Sequence, residues 1–186
     1  MEDKEIVELY WQRNQKAINE TASKYGSYCI YIAKNILNNY EEAEECVNDT
    51  YLNAWNSIPP NRPNVLSTFL GKIIRHLSID KLRRAKADKR GRGEFALVLD
   101  ELAECVSGRE SVSDEFEKKQ LVEEINTFLD RLPKNKCNIF LCRYWYAMPV
   151  SEIANKFGVS ENNVSVILNR TRKKLKEHLT ERGYDL

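Results

Sequence analysis

The sequence has 186 residues, with 29 basic and 28 acidic side chains and a formal net charge of +1. Its seven glycines and five prolines are about half the share of an average protein, too few turn formers for a sandwich or barrel of many short strands. No apolar run approaches the roughly 20 residues that span a bilayer, and the first residues are acidic where a signal peptide would be basic. We therefore expect an all-α protein in the cytoplasm, without membrane insertion.

The near-zero net charge hides a strong segregation of charge along the chain. Residues 1–71 hold 6 basic and 10 acidic side chains, and residues 72–93 hold 9 and 2. Residues 94–130 hold 3 and 11, and residues 131–186 hold 11 and 5. Two basic blocks are thus separated by an acidic one.

The five cysteines predict buried, reduced thiols rather than a metal site or a disulfide framework. A zinc site needs four close ligands, and only Cys137 and Cys142 are near each other in the sequence. We predict neither a metal nor a cofactor.

Apolar residues at helical spacing predict four helices in the first domain, residues 1–85. The first carries apolar positions from Ile6 to Ala17 and the second from Ala22 to Ile36. Asn39 is the expected cap of the third, which ends before Pro59 and leaves Glu44, Glu45, Asn48 and Asp49 off its apolar stripe. The fourth should bury Leu66, Phe69, Leu70, Ile73, Ile74 and Leu77 and leave on its outer face Lys72, Arg75, His76, Lys81, Arg83 and Arg84.

Residues 86–112 change from basic to acidic, contain three of the seven glycines and show only a short apolar patch, so they are predicted to be a linker. The second domain is predicted over residues 113–186. Ser111 with Asp114 is a candidate cap for its first helix, which continues to Pro133, and another helix is expected from about Lys134 to Tyr146.

Residues 150–179 have the pattern of a helix-turn-helix. Ser151 is the expected cap of a short helix, Gly158 supplies the positive φ of the turn, and Ser160 caps a second helix. Side chains early in that helix could reach base edges and later ones could meet phosphates. The alternative is an ordinary helical hairpin with a solvated basic tail, and His178 is expected at the surface.

Taken in order, the two halves resemble RNA polymerase sigma factors of the small extracytoplasmic-function group, which keep conserved regions two and four joined by a linker. YEEAEECVNDTYLNAWNSI is similar to the region-two helix that docks on the coiled coil of the polymerase β′ subunit. STFLGKIIRHLSIDKLRR is similar to the helix that reads and opens the promoter near minus ten. Residues 128–175 are similar to region four, which reads the element near minus thirty-five.

The chain departs from this family at several positions. Phe69-Leu70 replaces a usual Trp-Leu, His76 stands where Asn is common, and Asn162-Asn163-Val164 replaces Gly-Thr-Val. Ile167 occupies a frequently basic position, so the family's contacts around it are not carried over.

The resemblance implies three interfaces, and the side chains suit them chemically. The acidic positions of the third helix could pair with Arg residues of a partner helix, and a proline-stiffened polar loop, residues 57–67, could hold an extruded base. The polymerase-binding candidates are Glu44, Glu45, Asn48 and Asp49. The region-two DNA candidates are Asn61, Asn64, Phe69, Lys72, Arg75, His76, Arg83 and Arg84. The region-four DNA candidates are Asn163, Ser165, Val166, Arg170, Arg172, Lys173 and Lys174.

The implied function is that of a sigma factor, which is not an enzyme. It would bind core RNA polymerase through the β′ coiled coil and the β subunit, and would bind promoter DNA. The family also suggests an anti-sigma partner. Alternatives are a helix-turn-helix regulator that binds DNA without polymerase, or an enzyme acting on nucleic acid. Without the resemblance, the residues also allow two simpler interpretations. The acidic face of the third helix could serve only to contact solvent, and the loop of residues 57–67 could serve only to connect two helices.

Overall fold

A computed structural model describes residues 1–88 and 115–184, with side chains described for residues 1–84 and 120–184. Every regular element within these ranges is an α-helix. The chain divides into two units, residues 1–91 and 92–186. The all-α fold class is therefore confirmed. Most of the expected linker, residues 86–112, lies outside the described residues, so the domain limits stay a prediction.

The described part of the first unit contains four helices: α1 (Asp3–Trp11), α2 (Lys16–Leu37), α3 (Tyr40–Ser57) and α4 (Leu66–Asp88). Helices α2, α3 and α4 pack against one another, and α1 packs against α2. Their shared core is apolar and fully buried, and it includes Ile32, Ala33, Ala54, Leu66, Leu70 and Ile74. This arrangement leaves the opposite faces of α3 and α4 accessible.

The expectation that one helix joins Ile6 to Ala17 is wrong. Helix α1 ends at Trp11, and Ala17 is a buried residue of α2. The chain turns between them because Arg13 adopts a left-handed conformation with φ 53°, and the side chain of Asn14 accepts a hydrogen bond from the Lys16 amide at 3.0 Å. Four consecutive polar residues at positions 12–15 leave nothing apolar to continue the first helix.

The turn between α2 and α3 follows the predicted chemistry. Asn38 ends α2 in a left-handed conformation with φ 52°, which Asn tolerates better than most residues. The Asn39 side chain then accepts hydrogen bonds from the amides of Glu41 and Glu42 at 3.0 and 3.3 Å. The predicted cap of α3 is therefore confirmed, and it fixes where the acidic helix begins.

The described part of the second unit contains α5 (Glu115–Asp130), α6 (Lys134–Tyr144), α7 (Val150–Phe157) and α8 (Glu161–Glu181). Helix α8 packs against each of the other three. The candidate cap formed by residues 111 and 114 lies outside the described residues.

The turn between α7 and α8 has helix-turn-helix geometry. Gly158 adopts φ +65°, and a Cβ there would meet nothing within 4 Å, so the position requires glycine for its backbone conformation rather than for space. Ser160 caps α8, since its hydroxyl accepts a hydrogen bond from the Asn163 amide at 3.2 Å. Ala154 and Val164 are buried between the helices, as their spacing predicts.

The predicted capping role of Ser151 is wrong. Helix α7 begins at Val150, after Pro149, and the Pro149 carbonyl accepts the hydrogen bond of the Ile153 amide at 3.0 Å. Ser151 is therefore an exposed residue of the first turn. Proline disfavours a helical conformation of the residue before it, so the helix cannot begin before Pro149.

Candidate functional site

The acidic face of α3 consists of the four predicted residues Glu44, Glu45, Asn48 and Asp49, all of which are exposed. The opposite side of the helix buries Ala43, Cys46, Val47, Thr50 and Ala54 against the neighbouring helices. Burial of that stripe turns the carboxylates outward. The face can therefore meet cations on a partner without rearrangement of the helix.

Two further residues lie beside this face, and the sequence did not predict either contact. Leu52 is 57% exposed and lies one turn beyond Asn48 and Asp49 on the same side of α3. Its place at helical spacing from Asn48, Asp49 and Asn56, away from the buried stripe, was the available signal. Lys81 of α4 forms an ion pair with Glu45, which joins the acidic face to the basic helix. Nothing local in the sequence indicates that pairing, because the partners are 36 residues apart.

Four of the predicted DNA-contacting residues on α4 are exposed, namely Lys72, His76, Arg83 and Arg84. The His76 Nε2 atom lies 3.2 Å from a carboxylate oxygen of Asp80, and an Arg83 nitrogen lies 3.9 Å from the other one. These side chains thus share an exposed stretch of helix, where Lys72, Arg83 and Arg84 can meet phosphate oxygens.

The prediction that Arg75 and Lys81 lie on the outer face is wrong. Both side chains are half-buried, and burial lowers the pKa of Arg75 from its ordinary value. Arg75 lies close enough to Tyr28 of α2 for an electrostatic interaction. Its position in the packed side of α4 makes it a weaker candidate for phosphate contact than Lys72.

The loop between α3 and α4 presents the predicted polar residues to solvent. Asn61 is exposed, and its amide nitrogen donates a hydrogen bond to the Ser57 carbonyl at 3.0 Å. Asn64 is exposed beside Val65, which is 53% exposed, while Phe69 is half-buried at the start of α4. An open groove of about 870 Å³ runs between this loop and α1 and is lined by Val7, Glu8, Gln12, Arg62, Pro63 and Asn64.

Helix α8 displays its predicted base-reading side chains near its start. Asn163, Ser165, Val166 and Arg170 are exposed. Asn163, Val166 and Arg170 recur at intervals of three and four residues and so share one side of the helix. The Ser165 hydroxyl donates to the Glu161 carbonyl at 2.9 Å, which leaves its oxygen able to accept a hydrogen bond.

The residues of α8 predicted to contact phosphates differ in their exposure. Lys173 and Lys174 are exposed. Arg172 is half-buried and donates a hydrogen bond to the Tyr144 hydroxyl of α6 at 2.7 Å. Its guanidinium therefore contributes to the packing of α8 on α6, which the sequence did not predict.

The expectation that His178 is a surface residue is also wrong. Its side chain is only 13% exposed, and Nε2 lies 3.2 Å from the Glu124 carboxylate of α5. The imidazole packs against Phe128, with ring centroids 5.6 Å apart, and Arg182 lies 3.6 Å from the same carboxylate. This cluster fastens the end of α8 to α5.

Two features that would suggest other functions are missing from the described residues. No group of three or more His, Cys, Asp and Glu side chains there could hold a metal ion. None of the helices described is both long enough and apolar enough to cross a membrane.

Comparisons with known proteins match both units. The family model for sigma-70 region 2 matches residues 22–87, and the model for sigma-70 region 4 matches residues 128–177. Together these matches cover more than half of the chain. The RNA polymerase sigma factor SigV of Bacillus subtilis strain 168 is 27% identical over 152 residues, which are 81% of this chain and 83% of that protein.

A solved structure of CnrH in complex with the cytosolic domain of CnrY also matches. The alignment covers 96% of this chain and 97% of that one, with 18% identity and a TM-score of 0.43.

Proposed function

The chain belongs to the sigma-70 family of RNA polymerase sigma factors, in the extracytoplasmic-function group, and we propose how its helices divide the work of initiating transcription. Like other sigma factors it is an initiation factor and not an enzyme; it acts with core RNA polymerase on promoter DNA. The ordered presence of regions 2 and 4 carries this conclusion. The proposal concerns which residues make each contact.

The acidic face of α3 is the proposed docking surface for core polymerase. Glu44, Glu45 and Asp49 offer three carboxylates on one exposed side of a helix, and Asn48 adds an amide between them. Carboxylates in this arrangement suit a partner helix rich in Arg, since charge-assisted bidentate pairs are strong and directional. The β′ coiled coil is the proposed partner, and the exposed Leu52 adds an apolar contact beside the charges.

The substitution Asp49→Lys tests this surface. It places a positive charge where the partner is expected to be basic, so we expect core polymerase affinity to fall at least tenfold, with the helical content unchanged because the position is exposed. Binding of labelled protein to purified core polymerase measures the effect.

The matched control is Glu181→Lys, which makes the same charge change at an exposed position in the second unit. Equal affinities for Asp49→Lys and the unaltered protein would show that α3 is not the docking surface. Equal losses from both substitutions would show that binding responds to net charge rather than to this face.

Helix α4 and the loop before it are the proposed promoter-opening elements. Lys72, Arg83 and Arg84 are placed to hold phosphates, while Asn61, Asn64, Phe69 and His76 are proposed to lie near the bases. Asn64 has the clearest support, because it is exposed on a groove into which an extruded base could enter. Arg75 is retained only as a positioning residue, since it is half-buried.

The second unit is proposed to read the upstream promoter element with the start of α8. Asn163, Ser165, Val166 and Arg170 would face the major groove, while Lys173 and Lys174 would meet phosphates. Arg172, tied to Tyr144, would fix the helix rather than contact DNA. The polymerase β subunit is the proposed protein neighbour of this unit.

Two further proposals concern the cellular compartment of the protein and its regulation. The protein is proposed to act in the cytoplasm, where core polymerase and promoter DNA are found. An anti-sigma protein is a proposed regulator, by analogy with other members of the group. Pull-down of the full chain from its native host, with the Asp49→Lys variant beside it, would identify such a partner.

A further inference from the structure

Helix α1 lies outside the residues matched by the region 2 family model, yet it contacts the proposed promoter-opening loop. Arg62 of that loop forms an ion pair with Glu8 of α1, and its guanidinium lies 5.2 Å from the centre of the Trp11 ring. Glu8 and Trp11 are three residues apart, so they share one side of α1. A single loop arginine is therefore held by both an acid and an aromatic ring.

A second contact holds the other end of the same segment. The Asp3 carboxylate accepts a hydrogen bond from the Leu66 amide at 3.3 Å. Leu66 is the first residue of α4, and the first amides of a helix have no partner within it. Asp3 is itself fixed by α2, because Lys24 and Tyr25 donate to its other oxygen at 2.8 and 2.5 Å.

The two contacts bracket Asn64, one of the residues proposed to lie near the bases. Arg62 precedes and Leu66 follows the exposed pair Asn64 and Val65. The Glu8 and Arg62 side chains are 48% and 60% exposed, and such an exposed ion pair contributes little to overall stability. Its effect is instead local, because it fixes where a short polar loop stands relative to the rest of the domain.

We propose that α1 is a brace for promoter opening, with Glu8, Trp11 and Asp3 as positioning residues that hold the loop between α3 and α4 ready to receive an unpaired base. This inference rests on the proposed function of that loop. Glu8 also lines the groove beside Asn64, but the role proposed for it acts through Arg62 and not through contact with a base. Loss of the brace should slow strand separation without weakening the association with core polymerase, whose proposed surface is on α3.

A charge-swap cycle tests the brace. The variants are Glu8→Arg, Arg62→Glu and the double variant, each mixed as the full chain with core polymerase and a promoter fragment that the unaltered protein transcribes. The rate of strand opening is followed by permanganate reactivity of unpaired thymines, with core affinity and melting temperature measured in parallel.

Each single change should slow opening about threefold to tenfold, the size expected when an exposed ion pair and its cation–π contact are lost. The double variant restores an opposite-charge pair but not the contact of Arg62 with the Trp11 ring, so it should open DNA faster than either single variant without reaching the parent rate. Core affinity and melting temperature should stay unchanged in all three. Trp11→Ala should slow opening, while Trp11→Phe, which keeps an aromatic face, should not.

The control is Lys16→Glu, which also replaces an exposed cation of the first unit with a carboxylate. It should leave the rate of strand opening unchanged. Slow opening by Arg62→Glu that the double variant does not rescue would overturn the brace, because Arg62 would then contact DNA itself. Normal opening by every variant would also overturn it. Failure of the unaltered protein to open any promoter with core polymerase would instead overturn the proposed function, and the brace with it.

Discussion

The exposed polar residues of α8 form two groups along the helix: those proposed to read bases near its start and those proposed to contact phosphates further along. Single substitutions in the two groups should therefore have different consequences. We expect Asn163→Ala to change which upstream sequence is preferred, because a good bidentate base contact is worth about 1 to 3 kcal/mol of discrimination. Lys173→Ala should weaken binding to all promoters alike and reduce the salt slope by about one. Binding of each holoenzyme to a randomised upstream element over a salt series measures both effects.

The structure adds a reason to choose Lys173 rather than Arg172 for this comparison. Arg172 donates to Tyr144, so its replacement would disturb the packing of α6 as well as any contact with DNA. A changed sequence preference from Lys173→Ala, with none from Asn163→Ala or Ser165→Ala, would mean that α8 docks in a different register.

The stability of the first domain should depend on pH through the carboxyl group of Asp3. Burial by itself would raise the pKa of Asp3, but hydrogen bonds from Lys24, Tyr25 and the Leu66 amide outweigh it, so the pKa lies below its ordinary value. A carboxyl with a lowered folded-state pKa stabilises the fold above its unfolded pKa of about 3.9. That stabilisation is lost as the pH falls through the folded-state pKa.

We therefore expect Asp3→Asn to lower stability by a constant amount above about pH 5, and by less as the pH falls from about 5 to 2. Urea unfolding of both proteins over this range measures the difference in the free energy of unfolding. Asp130→Asn, at an exposed carboxylate of the second unit, is the control. A difference that does not vary with pH would contradict this account of Asp3.

At the scale of elements, the loop between α3 and α4 and the helix after it should act as one opening device. Replacement of Asn64 by Ala removes a hydrogen-bonding amide at an exposed position, so strand opening should weaken without loss of stability. Phe69→Ala should weaken opening too, with some loss of stability because Phe69 is half-buried. Permanganate reactivity near the start site and the melting temperature together separate these effects. If strand opening is unchanged when Asn64 and Phe69 are both replaced, the loop only connects α3 to α4.

The elements themselves were largely predictable from sequence because their signals are local. Apolar spacing placed the buried stripe of α3, and Asn39 and Ser160 marked helix starts through hydrogen bonds to amides two or three residues away. The left-handed turn at Gly158 was also predictable, because it depends on the backbone conformation of that one residue. The start of α7 was misplaced because Pro149 competes with Ser151 as a helix-starting signal.

Side chains whose environment depends on distant partners were not predictable. Arg172 meets Tyr144, 28 residues away, and His178 meets Glu124, 54 residues away. A basic or polar residue on a helical pattern looks exposed until the helix that packs over it is known. The same limit concealed the pairing of Arg62 with Glu8, since no spacing rule relates a loop to a helix 54 residues earlier.

At the scale of the whole molecule, the segregation of charge matches the proposed division of labour. The acidic face of α3 and the exposed cations of α4 lie in the same unit, and the exposed lysines of α8 lie in the other. The net charge of +1 gives the free protein no strong long-range attraction to DNA. Promoter binding should therefore depend on core polymerase, whereas a conventional helix-turn-helix regulator would bind tightly alone.

In vitro transcription with purified core polymerase and genomic DNA fragments tests this account most directly. We expect discrete transcripts from a subset of fragments only when both core polymerase and this protein are present, and none from either alone. The Asp49→Lys variant should lose those transcripts, while Glu181→Lys should keep them. No specific transcript with core polymerase, together with tight sequence-specific binding of the free protein to DNA, would contradict the account and identify a regulator that works without polymerase.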